Sequence, residues 1–433
     1  MKLKIYITKN GIISAKRKEV QSMRNFKFIL LLIALILIIT PVYALETEND
    51  KSAVVLKTLF ASKSDELKAS EYFTDNFLKA VPENKIKQLL SDLSPKLGKL
   101  NSIVKISNGT YKLIFSKGHM PSKISLDSKN LIAGLWFGNP TLLDDSLDKI
   151  TDELKKLDGT VSVMITKNGS DPVFLLNPDL PLGVGSSFKL YVLKALNEKI
   201  KEGGCDNKTV IEISESGFSL PSGMLQSWPD KTPVTLKTLA NLMISISDNT
   251  ATDILINYLG REYIEKYAPD RMKPFLKTIE MFKLKWSASQ TERDEYISAG
   301  VEKKRKILDK LSALDKSKIK INQGKPVFIE HIEWFTTTRE LCGLISELKG
   351  EPALSINKGL ADPDSWHEIG YKGGSEPGVL NYTHILQKKA NGDFYAVSVT
   401  INNATAEVQT EKFTELTGRI ISLIENEKMA AAK

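Results

Sequence analysis

Patterns typical of β-strands stand at both ends of the second part of this chain, with a long helical segment between them. Alternating apolar residues predict strands at Thr160–Thr166 and Val173–Leu176, joined by the hairpin turn Lys167-Asn-Gly169. The other predicted strands are His367–Tyr371, Val379–Gln387 and Phe394–Ile401. We therefore expect one antiparallel sheet that a late hairpin completes and a helical insertion interrupts.

Helical periodicity fills the rest of this region. The segment Gly183–Lys189 leads into the apolar run Leu190–Leu196, so a helix is predicted to begin at Ser186 and to end near Gly203. The remaining predicted helices are Leu142–Leu157, Leu236–Ile246, Thr250–Leu259, Glu292–Leu314, Thr336–Leu348 with Thr338 as its cap, and Ala406–Glu425.

A smaller α+β domain is predicted ahead of this region, at residues 45–140. Its first half, to residue 95, has helical patterns, and from Leu97 the apolar period changes to two. Its predicted strands are Ser102–Ile106, Thr110–Phe115, Lys123–Ser128 and Leu131–Phe137. The predicted order is therefore an N-terminal extension with a signal peptide (1–44), the small domain (45–140) and a larger α+β domain (141–430).

The first 44 residues have the pattern of an export signal. Met23–Ala44 combines a positive start, the apolar run Phe28–Ile39 and small residues before an expected cleavage after Ala44. Twelve apolar residues are short for a membrane span, so an exported protein, periplasmic or extracellular, is expected; an uncleaved leader would anchor it to a membrane. The same 44 residues carry +7 of the formal charge of +8, so no basic surface for nucleic acid is predicted.

No metal site and no cofactor are predicted. The four histidines lack metal-ligand spacing, and the two cysteines, Cys205 and Cys342, lie far apart in the sequence and are predicted to be unpaired thiols. The pattern gives no oligomeric state.

Ser186 and Lys189 place a hydroxyl three residues before an amine. A serine is inert at its own pKa, but an amine kept neutral by burial can take its proton. This spacing recurs at five other serines, so the pair alone is weak evidence. Its context is distinctive, because the chain's single Ser247-Asp-Asn follows 61 residues later, and a strand carries Lys372 into a glycine pair.

The ordered motifs Ser186-Ser-Phe-Lys189, Ser247-Asp-Asn249 and Lys372-Gly-Gly374 resemble those of the class A β-lactamase and penicillin-binding superfamily, over about residues 141–430. The whole chain is similar to a two-domain branch, the β-lactamase-like proteins related to a clavulanic-acid pathway hydrolase. In that branch a small cone-shaped domain with a steroid-isomerase-like fold precedes the catalytic domain. The resemblance thus implies a class A β-lactamase-like domain preceded by a small cone-like α+β domain.

The resemblance also implies roles for individual residues. Ser186 would become acylated, Lys189 would exchange its proton, and Ser247 would relay a proton to the leaving group. Lys372 would attract a substrate carboxylate, and backbone N–H groups of Ser186 and Ser375 would form the oxyanion hole. The implied catalytic residues are Ser186, Lys189, Ser247 and Lys372, and the implied substrate-binding residues are Asn249, Gly374 and Ser375.

Two departures from the family pattern limit this prediction. Gly373 stands where the family usually has a hydroxyl residue, unless Ser375 substitutes for it. The E-x-x-L-N segment, which supplies the glutamate that activates the deacylating water, is missing between Asn249 and Lys372. Three other glutamates, Glu280, Glu292 and Glu295, have about the right spacing, although the last two lie in a strongly charged helix typical of a solvated surface.

The sequence therefore predicts an exported serine hydrolase that works through an acyl-enzyme. Its partner would be a small-molecule or peptidoglycan-like substrate: an ester, a β-lactam or a D-alanyl peptide. The alternative is a non-catalytic β-lactam or cell-wall sensor that uses the same pocket.

Overall fold

A computed structural model describes residues 50–62, 66–321 and 324–428, which fold into two compact units, one ending at Phe137 and the other beginning at Gly138. The predicted signal peptide, Met23–Ala44, lies outside the described residues. Within the described ranges, no helix is both long enough and apolar enough to cross a membrane.

The first unit combines helices with a meander of antiparallel strands. In the part that the structure describes, these elements are α1 Lys51–Ala61, α2 Asp75–Ala80, α3 Glu83–Leu97, β1 Leu100–Ser107, β2 Thr110–Phe115, β3 Gly118–Leu126 and β4 Ile132–Phe137. The strands pair in the order β1-β2-β3-β4. Side chains of β2 alternate between buried and half-buried, with Tyr111, Leu113 and Phe115 directed into the core. The predicted third strand was too short, because β3 begins at Gly118 and pairs with β2 through Pro121.

The second unit is built on an antiparallel sheet. The bounds of its described strands are β5 Thr141–Leu142, β6 Thr160–Lys167, β7 Asp171–Leu176, β8 Leu182–Gly183, β9 Val210–Glu212, β10 Pro233–Thr235, β11 Phe335–Thr336, β12 Glu368–Glu376, β13 Val379–Gln387 and β14 Phe394–Asn402. Five of these form the main sheet, in the order β12-β13-β14-β6-β7. This confirms the predicted sheet, in which strands from both ends of the region pair around a helical insertion.

Helices cover both faces of this sheet. Their bounds are α4 Leu147–Leu154, α5 Lys189–Lys201, α6 Leu236–Ser245, α7 Asn249–Leu259, α8 Arg261–Ile264, α9 Thr278–Trp286, α10 Gln290–Ser298, α11 Val301–Ser312, α12 Thr338–Glu347, α13 Pro352–Ile356 and α14 Thr410–Glu425. On one face, apolar residues such as Val163, Val399 and Ile401 pack against α4 and α14. On the other face, a larger core contains α5 and the helical insertion.

Two helix predictions were wrong in ways that local chemistry explains. The predicted single helix at 292–314 is two helices, because the chain is extended at Ala299 and Gly300. The cap of α12 is Thr337, whose hydroxyl accepts from the Glu340 N–H at 3.0 Å, rather than Thr338.

Candidate active site

Ser186 lies in a single 3₁₀ turn, Gly185–Phe188, and the α-helix α5 begins at Lys189. The prediction that the α-helix begins at Ser186 was therefore wrong by one turn. Gly185 has a left-handed backbone (φ +49°), a conformation that glycine adopts without steric cost and that starts the turn here. Ser186 itself is half-buried at the wall of a cavity.

The turn is held rigidly by the aromatic residue that follows it. Phe188 is fully buried and stacks on Trp334 with ring centroids 3.8 Å apart, and its edge meets Phe275 at 5.7 Å. Aromatic pairs of this kind contribute about 0.5–1.5 kcal/mol beyond the area they bury. Most of α5 is also buried, so the backbone that carries Ser186 is held in place by packing on both sides of the turn.

A hydrogen-bonded group of side chains lies beside this turn. Lys189 Nζ donates to the backbone oxygen of Ser247 at 2.7 Å and to Asn249 Oδ1 at 2.7 Å, and it lies 3.1 Å from Ser247 Oγ. Lys372 Nζ, from β12, donates to the same Ser247 Oγ at 3.1 Å. The structure thus brings together four of the predicted residues, although within the described residues no hydrogen bond joins the Ser186 hydroxyl to Lys189.

The loop that carries Ser247 is fixed by its neighbour. Ser247 has a left-handed backbone (φ +57°), which is rare for a residue with a side chain. The buried carboxylate of Asp248 caps α7 by accepting from the Ala251 N–H at 2.8 Å, and it also accepts from the Met224 and Leu225 N–H groups. These three bonds position both Ser247 and Asn249.

Strand β12 meets the serine turn through a residue without a side chain. An ideal Cβ on Gly374 would lie 2.5 Å from the Ser186 nitrogen, and one on Gly185 would lie 3.0 Å from the Ser375 nitrogen. Two backbone N–H groups, those of Ser186 and Ser375, are therefore brought close together at the cavity wall. The predicted meeting of the serine segment with the strand that carries Lys372 is confirmed.

Both lysines of the site have lowered pKa values. Burial lowers the pKa of Lys372 to about 7. Burial, together with the charge of Lys372, holds the pKa of Lys189 well below its usual range, although Asp253 and Asp248 oppose this. Burial thus favours the neutral form of both amines.

The third motif has no hydroxyl at Gly373, but the hydroxyl of Tyr371 lies next to that position. An ideal Cβ on Gly373 would collide with the hydroxyl oxygen of Tyr371, which points along the same face of β12. The Tyr371 side chain lines the cavity, and burial raises its pKa, so its hydroxyl keeps its proton. A phenol hydroxyl thus occupies the space that a side chain at position 373 would fill.

Comparison with protein families identifies the segment that carries the first two motifs. Residues 145–300 match the model described as the beta-lactamase enzyme family. This segment of the chain is similar to the β-lactamase enzyme family. The match includes Ser186, Lys189 and the Ser247–Asn249 motif and ends before Lys372.

Solved structures similar to the chain are also found. They include a β-lactamase from Sphaerobacter thermophilus DSM 20745 (19% identity, 65% of this chain, 97% of that chain, TM-score 0.45). PBP-A is another, with 15% identity over 65% of this chain and 95% of that chain and a TM-score of 0.43. A class A β-lactamase from Mycobacterium abscessus has 16% identity over 64% of this chain and 98% of that chain, with a TM-score of 0.43. Curated proteins give no match.

The cavity beside the Ser186 turn and the Ser247 loop has a volume of about 810 Å³. Its lining includes residues of the two motif loops and of β12, together with aromatic residues such as Phe282, Trp286 and Trp334. Such a mixture of apolar walls and a few convergent polar groups is typical of small-molecule sites. Among the described residues, no cluster of His, Cys, Asp or Glu suited to a metal is found.

None of the three predicted glutamates lines this cavity. Glu280 Oε1 accepts a hydrogen bond from Nη2 of Arg261 at 2.6 Å. Glu292 forms a capping box with Ser289 at the start of α10. Glu295 is half-buried and pairs with Lys303.

Two other glutamates, Glu376 and the exposed Glu407, do line the cavity, and neither was predicted. Glu376 lies two residues beyond Gly374 on the same strand, so it is close to the third motif in sequence as well as in space.

Proposed function

We propose that this protein is a serine hydrolase that forms an acyl-enzyme on Ser186, with an ester, a β-lactam or a D-alanyl-peptide-like substrate. One observation carries the proposal: Ser247 Oγ lies 3.1 Å from both Lys189 Nζ and Lys372 Nζ, at the wall of the cavity that Ser186 lines. A hydroxyl beside two amines with lowered pKa values can pass a proton between them and a leaving group.

In the acylation step, the Ser186 Oγ attacks the substrate carbonyl carbon while its proton passes to neutral Lys189. The carbonyl oxygen becomes an oxyanion, which the N–H groups of Ser186 and Ser375 stabilise; one such donor is typically worth about 3–4 kcal/mol. The proton then moves through the Ser247 hydroxyl to the leaving group as the bond between the carbonyl carbon and that group breaks. Asn249 keeps Lys189 in place throughout.

The groups around β12 favour a substrate that carries a carboxylate. Lys372 supplies a positive charge. The protonated hydroxyl of Tyr371, on the other face of β12, supplies a neutral hydrogen-bond donor. The aromatic residues of the lining would pack against an apolar acyl side chain.

The test is the mass of the intact protein after mixing with a penicillin and, separately, with a chromogenic ester. We expect the protein to gain the mass of the acyl group and the Ser186→Ala variant to gain none. Ser245→Ala is a matched control, because Ser245 lines the same cavity but its hydroxyl donates to the Asn241 backbone oxygen at 2.6 Å. Full activity in Ser186→Ala would contradict the proposal, and one-shot acylation without product release would favour the sensor alternative.

We further propose that the protein is exported and belongs to the two-domain branch described above. The leader pattern at Met23–Ala44 motivates the first proposal, which cell fractionation tests; a protein that stays in the cytoplasm at full length would contradict it. The compact α+β unit ahead of the larger one motivates the second. A crystal structure of the full chain with a flat rather than cone-shaped first sheet would contradict that assignment.

A further inference from the structure

Three buried ionisable side chains from separate segments meet beside the serine turn. Lys285, on α9, lies 3.0 Å from Glu333 Oε1 and also contacts Glu376 at the end of β12. The side chains of Lys285 and Glu333 are essentially inaccessible to solvent, and that of Glu376 is 12% exposed. Within this triad (Lys285, Glu333 and Glu376), Glu376 is the residue that lines the cavity.

The position of Glu376 follows from the alternation of β12. Lys372 and Gly374 point to the buried side of the strand, towards Ser247 and Ser186, whereas Ser375 is exposed. Because side chains of a strand alternate, Glu376 points to the same side as Gly374, roughly 7 Å further along. Ser186 and the Glu376 side chain therefore lie on one side of β12, and both residues line one cavity.

The second carboxylate of the triad lies under the same turn. An ideal Cβ on Gly183, three residues before Ser186, would lie 3.0 Å from Cγ of Glu333. The backbone next to Glu333 also supports the turn, because the Val184 N–H donates to the Trp334 backbone oxygen at 3.2 Å. The triad thus shares its supporting elements with the nucleophile, which fixes the distance between the two.

A single cation serves the two carboxyl groups of the triad. Burial opposes ionisation of Glu333, but the charge of Lys285 together with hydrogen bonds from Glu376, Lys285 and the Trp334 N–H outweighs it, so the pKa of Glu333 is lowered. Burial and the charge of Glu333 raise the pKa of Glu376 well above its usual range, although Lys285 opposes this. In its ionised form, a carboxylate of raised pKa accepts a proton more strongly than an ordinary glutamate, which is the property that a general base needs.

We propose that Glu376 is the catalytic base that activates water to hydrolyse the acyl group on Ser186. This inference rests on the proposed acyl-enzyme function. The E-x-x-L-N glutamate that would activate the deacylating water is missing from the sequence. In this proposal Glu376, a residue of β12 that contacts Lys285, takes that role.

The step is a simple hydrolysis. A proton of the water passes to a carboxylate oxygen of Glu376 as the water oxygen bonds to the acyl carbonyl carbon. The bond between that carbon and Ser186 Oγ then breaks, and Ser186 Oγ takes the proton back from Glu376. The products are a carboxylic acid and the free serine, so neither an oxidant nor a further reactant is needed.

The test measures the lifetime of the acyl adduct on the full protein after excess substrate is removed, with a penicillin and with a chromogenic ester. We expect Glu376→Gln to be acylated within a few-fold of the wild-type rate and to lose its adduct about 10²- to 10⁴-fold more slowly. The matched control is Glu407→Gln, which alters an exposed carboxylate at the same cavity and should leave the lifetime unchanged.

Added hydroxylamine separates a base from a structural residue. This nucleophile needs no proton acceptor, so it should clear the adducts of wild-type protein and Glu376→Gln at similar rates. Equal lifetimes of the wild-type and Glu376→Gln adducts in water would overturn the assignment to Glu376. The same holds if neither adduct is hydrolysed. Absence of both adduct and product on the wild-type protein would overturn the acyl-enzyme function itself.

A second variant covers the event that Glu376→Gln does not fold. Glu376→Asp keeps a carboxyl group on the same strand but withdraws it by one methylene group. We expect it to fold, to be acylated normally and to hold its adduct at least tenfold longer than the wild-type protein. A wild-type lifetime in Glu376→Asp would overturn the proposal.

Discussion

Gly374 approaches Ser186 so closely that an ideal Cβ on the glycine would lie 2.5 Å from the serine nitrogen. Real Cβ atoms do not come so near a backbone nitrogen, so any side chain at position 374 must push β12 away from the serine turn. The two N–H groups proposed to hold an oxyanion would then separate.

We therefore predict that Gly374→Ala loses about 10²- to 10³-fold in acylation rate, the effect of one lost oxyanion donor. Overpacking should also lower the free energy of unfolding by about 1–3 kcal/mol. The control is Gly343→Ala in α12, where a Cβ meets nothing within 4 Å and stability should rise by about 0.5–1 kcal/mol. Rapid-mixing kinetics and denaturant unfolding test both; wild-type acylation in Gly374→Ala would contradict the role of this contact.

Lys372 predicts a pH dependence of substrate binding. Its pKa is lowered to about 7 by burial, so its charge, and with it the attraction for a substrate carboxylate, is lost as pH rises through that value. KM for a penicillin should therefore rise between pH 6 and 8.5, approaching about tenfold per pH unit at the upper end. KM for an uncharged ester, measured over the same range, should stay flat. A flat penicillin profile would show that Lys372 does not bind the carboxylate.

Tyr371 predicts a specificity effect of a single hydroxyl group. Removing it in Tyr371→Phe should raise KM for a carboxylate-bearing substrate by roughly 10-fold or more, the value of one hydrogen bond to a charged group. The fold should be unchanged. Tyr382→Phe is the control, since Tyr382 borders the same cavity but its hydroxyl pairs with Thr414 at 2.8 Å. Equal KM values for the two variants would show that the Tyr371 hydroxyl does not bind the substrate carboxylate.

The triad predicts a large change in stability. Lys285→Met would leave two carboxyl groups buried without their cation, which should lower the free energy of unfolding by about 3–5 kcal/mol. Adding Glu333→Gln removes the uncompensated charge, so the double variant should recover a substantial part of this loss. Chemical denaturation of both proteins is the measurement. If the single variant is as stable as the wild type, the triad does not carry a buried charge.

The sequence was informative where a local pattern decides the structure. Strand alternation and turn residues predicted the antiparallel sheet, and the order of three motifs predicted that Lys189, Ser247, Asn249 and Lys372 would meet. Contacts between distant segments were not predictable: Lys285 and Glu376 are 91 residues apart. One signal for Glu376 existed, because a strand that turns Gly374 inwards must turn Glu376 inwards as well.

The backbone of Ser247 also bears on how this protein would respond to selection. Its left-handed conformation costs a residue with a side chain roughly 1–2 kcal/mol, and glycine would be free of that cost. A screen of random variants for heat resistance alone would therefore enrich Ser247→Gly. The proteins so obtained would fold well and lack the hydroxyl that both lysines contact, so laboratory evolution at this position must select for turnover and heat resistance together.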